Sequence, residues 1–125
     1  MILANSEAVD SKDSGEKIKD QMLDGKFLPI VQAQSSLGYW EADKLVLEAL
    51  KLNINELFEK LSKYLQSESR ELNERIAITV AVLAWIERDY AAQKSSWVLI
   101  HRKGQQWLNV QKVNYTEAAA ALAAQ

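Results

Sequence analysis

The sequence contains no cysteine, which excludes disulfide frameworks and thiolate metal sites. One proline and four glycines are too few for the many turns of an all-β chain, so a compact helical domain is expected. A single histidine leaves little for acid–base or metal chemistry. No HExxH, no GxSxG and no phosphate-cradling glycine loop occurs. The net charge of −2 gives no electrostatic footprint for nucleic acid. No apolar run approaches the about 20 residues that cross a bilayer, and no membrane association is expected. The opening MILANSEAVDSKD has neither a basic n-region nor a long apolar h-region, so no secretion signal is expected. With the absence of cysteine, this fits a cytoplasmic protein.

What the chain does have is core material. Hydrophobic residues make up 48% of it, with four tryptophans and four tyrosines. Its 125 residues predict one domain. The organising stretch is Ile76 to Ile86, IAITVAVLAWI, interrupted only by Thr79. Glutamates before it suit a helix N-terminus, and no glycine or proline follows before Lys94. One helix is predicted from about Leu72 to Gln93, apolar all round and therefore buried by neighbours on every side. The remaining segments are expected to wrap it, giving an all-α bundle of about five helices.

Residues 1–26 hold six acids and four lysines, and the rest of the chain balances, so the net charge sits in this leader. It reads as a disordered arm or linker, with Ile18, Met22 and Leu23 able to form one short amphipathic turn. A boundary with any larger parent protein is expected here. Residues 27–112 are the predicted helical interaction domain. Within them, Phe27 to Gln34 opens with Pro29 in a first helical turn. Ser35-Ser36-Leu37-Gly38 is a turn, with Gly38 expected at positive φ, and Tyr39 and Trp40 follow it. Ala42, Leu45, Val46, Ala49 and Leu50 recur at helical spacing. Asn53 with Glu56 predicts a capping box for a helix presenting Ile54, Leu57, Phe58, Leu61 and Leu65. A last helix, about Ser96 to Lys112 with a serine N-cap, carries Trp97, Ile100, His101, Gly104, Trp107 and Leu108. Residues 113–125 are Ala-rich and short, and a frayed tail is expected.

No catalytic, cofactor-binding or metal-binding residues are assigned, and neither an enzyme nor a small-molecule substrate is expected. His101 reads as a histidine at a helix interface. The i, i+3 glutamate pairs read as solvated faces. Gly38, Tyr39, Trp40, Trp85, Trp97 and Trp107 are assigned structural roles. For Trp97 and Trp107 a partner groove is the alternative to core. Leu47 lies off the stripe of the second helix, and Val98 and Leu99 lie off that of the last. These three, rimmed by Arg102 and Lys103, are the candidate partner-binding patch. The alternative is that the wrapping helices bury more than one stripe.

Three pieces in order resemble a known family: LPIVQAQSSLGYWE (28–41), IAITVAVLAWI with Glu87 and Arg88 (76–88), and WVLIHRKGQQWL (97–108). Their spacing is similar to the C-terminal domains of vault poly(ADP-ribose) polymerase and of related proteins with a vault-type trypsin-inhibitor-like domain and a von Willebrand factor A domain. Shared features are Gly38-Tyr39-Trp40, the leucine-rich Leu45 to Leu57, and the closing Trp97, Lys103, Trp107 and Leu108. The resemblance covers about residues 27–110. It implies a module that docks a longer chain onto the major vault protein, with no chemistry of its own. The alternative it leaves open is an intramolecular packing domain that steadies a von Willebrand factor A module. Gly104 departs from the small helix former expected there and predicts a bend.

Overall fold

The computed structural model describes residues 25–124. The leader turn at Ile18, Met22 and Leu23 lies outside the described residues. Six α-helices occur among the described residues, without strands. They are α1 (Phe27–Gln32), α2 (Lys44–Leu50), α3 (Ile54–Lys60), α4 (Arg70–Asp89), α5 (Lys94–Val110) and α6 (Tyr115–Ala123). Short 3-10 turns at Ser62–Tyr64 and Ala91–Gln93 follow α3 and α4.

Helix α4 is the axis. Ile76 to Leu83 are buried without a break, and Trp85 and Ile86 continue the buried run. Helices α3, α5 and α6 all pack on it. It starts two residues earlier than expected, because Ser69 accepts a hydrogen bond from the Leu72 amide and caps it. It ends at Asp89 rather than Gln93. Helix α5 then begins at Lys94 with no side-chain cap, so the serine cap expected there is not used. The helix runs unbroken through Gly104.

Thr79, the one polar side chain inside the apolar run, has a specific task. Its Oγ1 accepts the Trp40 amide at 2.9 Å, deep in the core. The Trp40 indole Nε1 donates to the Ile30 carbonyl at 2.7 Å. Trp40 thus joins α1 to α4 while filling the space between them, and no part of it is exposed. Gly38 has φ 115° as expected. Gln34 Nε2 donates to the carbonyls of both Gly38 and Ile100, which pins the turn onto α5. The Tyr39 ring centre lies 5.1 Å from that of Trp107, and the Arg75 guanidinium lies 4.5 Å from the Tyr39 ring centre.

Two expectations are corrected. Leu45 was placed on the inner stripe of the second helix and Leu47 outside it. Leu45 is 48% exposed, and Leu47 packs against the core. The helix starts only after the Asp43 cap, so Ala42 never joins its periodicity. It ends at Lys51 in the left-handed region, with the Leu52 amide bonded to the Leu47 carbonyl at 2.9 Å. This closure brings the side chains of its two ends together, and both leucines face the core.

The second correction is the tail, which forms α6 instead of fraying. Helix α5 ends with the same closure: Lys112 is left-handed and the Val113 amide bonds the Leu108 carbonyl. Val113 and Tyr115 are thereby buried, and Asn114 caps α6 through the Glu117 amide. Ala118 is fully buried. The alanines act through close approach to α4 rather than through a large apolar face, so propensity and docking together offset the short length.

Candidate functional site

Trp40, Trp85, Trp97 and Trp107 are all buried, and Trp97 and Trp107 each also reach the lining of a surface depression. The apolar side chains left outside are Leu37 (67% exposed), Leu99 (69%) and Val110 (75%), with Leu28 and Leu45 less so. Leu99, Lys103, Gln106 and Val110 follow one another at four, three and four residues, so they form one stripe along α5. At 1.5 Å per residue the stripe is about 17 Å long. The Gly38 turn packs on the Lys103 backbone and brings Leu37 beside it. Leu37, Lys103, Gln106, Trp107 and Val110 share a shallow depression of about 460 Å³.

The expected patch of Leu47, Val98, Leu99, Arg102 and Lys103 therefore divides. Leu47 belongs to the core and lines neither depression on α5. Val98 and Leu99 are successive helix residues, about 100° apart around the axis. Val98 and Arg102 face a second depression, while Lys103 lies beside Leu37 and Leu99 is exposed one turn earlier on the stripe of Lys103. Val110 carried a spacing signal, three helical turns after Leu99. Leu37 had none, because only the fold of the turn brings it to α5.

The second depression, about 450 Å³, has Ala91, Trp97 and Val98 as its apolar wall, with Glu87, Lys94 and Arg102 around it. Beneath it lies a cluster joining three helices. His101 Nε2 is 2.9 Å from Glu87 Oε2, and the Tyr115 hydroxyl donates to Glu87 Oε1 at 3.0 Å. The His101 and Tyr115 rings meet edge to face at 5.1 Å. The His101 side chain is only 7% exposed. Its Nε2 makes no hydrogen bond of good geometry. Burial pushes the His101 pKa below its ordinary 6.5, against the opposing pull of Glu87. Burial, reinforced by the Glu87 carboxylate, pushes the Tyr115 phenol up. The cluster clamps α4, α5 and α6 together through Glu87, His101 and Tyr115. Among the described residues no group of three or more His, Asp or Glu side chains is placed to hold a metal, and no helix is long and apolar enough to cross a membrane.

The clamp predicts a pH dependence. The groups facing His101 are Glu87 from α4, Tyr115 from α6, and Lys94 and Gln105 from its own helix. Because the folded pKa is depressed, the unfolded chain binds the proton more readily. The histidine's contribution is complete above about pH 6.5 and is lost as pH falls through the depressed value. Carboxylates titrate mostly lower, near 4. Melting temperature should therefore begin to fall as the pH drops below about 6.5 in the wild type and stay flatter in His101→Gln. Parallel curves for the two proteins would refute the assignment.

Comparisons with protein-family models, with curated proteins and with solved structures give no match to this chain.

Proposed function

We propose that this domain is a non-catalytic protein-interaction module whose docking face is Leu37, Leu99 and Val110 around Lys103. The observation that carries the reading is the exposure of Leu37 and Val110 around one depression on a folded core, with Leu99 exposed one turn before Lys103 on the same helical stripe. The charge pattern supports it. Residues 90–116 contain no acid, and Lys103, at the centre of the face, makes no ion pair among the described residues. A face of this kind suits an amphipathic helix with acidic flanks, and about 17 Å of stripe matches roughly three turns of it. The resemblance to the vault-associated C-terminal domains nominates the major vault protein as the partner, with the domain docking a longer cytoplasmic chain to the vault particle.

The test is the double variant Leu99→Asp with Val110→Asp, measured for retention on purified major vault protein. Burying these two side chains is worth roughly 3–4 kcal/mol together, so binding should weaken more than a hundredfold. The melting temperature should change little, as exposed positions usually shift stability by about 0.5 kcal/mol or less. A folded double variant that is retained like wild type would remove this face from the interaction. A wild-type domain that is not retained at all would remove the vault partner.

A further inference from the structure

The wrapping of the central helix has one opening. Every residue of the apolar run Ile76 to Ile86 is buried except Ala84. Ala84 lies in a cleft of about 430 Å³ between α3, α4 and the end of α6. We infer that this cleft binds a small amphipathic carboxylate, a molecule with an apolar chain and one anionic end. The cleft shares no residue with the depression beside Leu37 and Val110, and the inference does not rest on the function proposed for that face.

Three observations carry it. The first is the surface itself. Ala81, Ala84, Trp85 and Arg88 line the cleft from one stripe of α4, and Asn53, Glu56, Leu57 and Lys60 line it with the same spacing from α3. Leu57, Ala81 and Trp85 are buried, and Leu122 of α6 adds a further apolar side. The two alanines leave room between the helices that larger side chains would have filled. The second is charge. Lys51, Lys60 and Arg88 line the cleft against a single acid, Glu56. Arg88 is held by Asp89 at 2.8 Å. Lys51 and Lys60 make no ion pair among the described residues, and Lys60 is half-buried. The third is size. Small-molecule sites occupy about 300–1,000 Å³, and the cleft falls within that range. Seven residues make each stripe only about 10 Å long, short for a protein partner, whose stable interfaces bury about 800 Å² on each side. An apolar chain laid on Ala84 and Trp85 takes their surface out of water, and a carboxylate gives the lysines a charged hydrogen-bond partner.

The probe is sodium decanoate below its micelle threshold, followed through the amide signals of the full chain. Ala81, Ala84, Trp85 and Leu122 should shift and saturate together, while Leu99, Lys103 and Val110 stay in place. Decyltrimethylammonium carries the same chain on a cationic head and should bind more weakly by about tenfold or more, the scale of one lost charged hydrogen bond. Decanoate should lose a similar factor on the Lys51→Gln, Lys60→Gln variant. Ala84→Leu fills the cleft with another good helix former and should weaken decanoate as much, with unchanged α5 signals verifying the fold. Both lysines lie outside the core, so the glutamine variant tests the site even where the leucine disturbs packing. Equal affinity for the anionic and cationic heads would mean unspecific adsorption of the chain and would overturn the inference. So would shifts centred on Leu37 and Val110, wild-type affinity in a folded Ala84→Leu variant, or the lack of any saturable shift in the wild type. The Leu99→Asp, Val110→Asp variant should bind decanoate like wild type, whatever it does to partner binding.

Discussion

Trp40→Ala should leave the domain largely unfolded at ordinary temperature. The side chain is fully buried, and truncating such a residue costs about 3–5 kcal/mol. The indole also donates to the Ile30 carbonyl, which keeps only the Ala33 amide as donor once the indole is gone, and losing this hydrogen bond adds about 0.5–1.5 kcal/mol. Domains of this size are stable by about 5–15 kcal/mol. At about 4–8 °C per kcal/mol, the melting temperature should drop by at least 15 °C. Trp40→Phe separates the two contributions, since it refills most of the volume and restores no donor. Thermal melts should rank wild type above Trp40→Phe and Trp40→Ala lowest. An alanine variant that melts within about 3 °C of wild type would mean that the α1–α4 junction does not hold the fold together.

The same junction indicates what the sequence makes legible. A continuous apolar run with helical flanks has one economical solution, a helix enclosed by others, and α4 adopts it. The Gly38 turn is legible for a similar reason, because positive φ and a following aromatic pair are local properties. The Thr79 hydroxyl is legible only as an anomaly. Its partner, the Trp40 amide, lies 39 residues away and is fixed by packing rather than by pattern.

Helix ends explain the corrections at Leu47 and in the tail. Both α2 and α5 stop at a lysine in the left-handed region, Lys51 and Lys112. Glycine is the usual signal for that conformation, and neither site has one. Each closure turns the next apolar residue, Leu52 or Val113, back onto the core. The first closure sets Leu52 beside Leu47 against the core, and the second seats the start of α6. The exposed apolar face on α5 is half legible. Leu99 and Lys103 share a helical stripe with Val110, whereas Leu37 joins them through a contact between segments some 66 residues apart, the separation of the Gln34–Ile100 hydrogen bond. The His101 clamp was hidden for the same reason, since Glu87 and Tyr115 come from different helices.

Gly38→Ala should be nearly as damaging as loss of Trp40, although it adds a single methyl group. At φ 115° an L residue is strained, which costs about 1–3 kcal/mol. The new Cβ would sit 2.5 Å from the Lys103 carbonyl oxygen and 3.1 Å from its carbon. Those atoms are helix backbone and cannot turn aside, so overpacking adds about 1–3 kcal/mol. Gly104 lies on the other side of this contact and serves as the control. A Cβ there would meet the two Leu83 methyls at 3.0 Å, while its helical backbone carries no positive φ. Alanine at 104 regains about 1 kcal/mol of helix propensity, which offsets part of the cost of displacing Leu83. Gly104→Ala should therefore lower the melting temperature clearly less than Gly38→Ala. Gly38→Ala should also loosen the turn from α5, seen as faster hydrogen exchange at Tyr39 and Trp40 than in the Gly104 variant. Equal melting temperatures for the two variants, or a greater loss from Gly104→Ala, would mean that the turn yields readily, and that Leu37 is not held beside Lys103 by a rigid backbone contact.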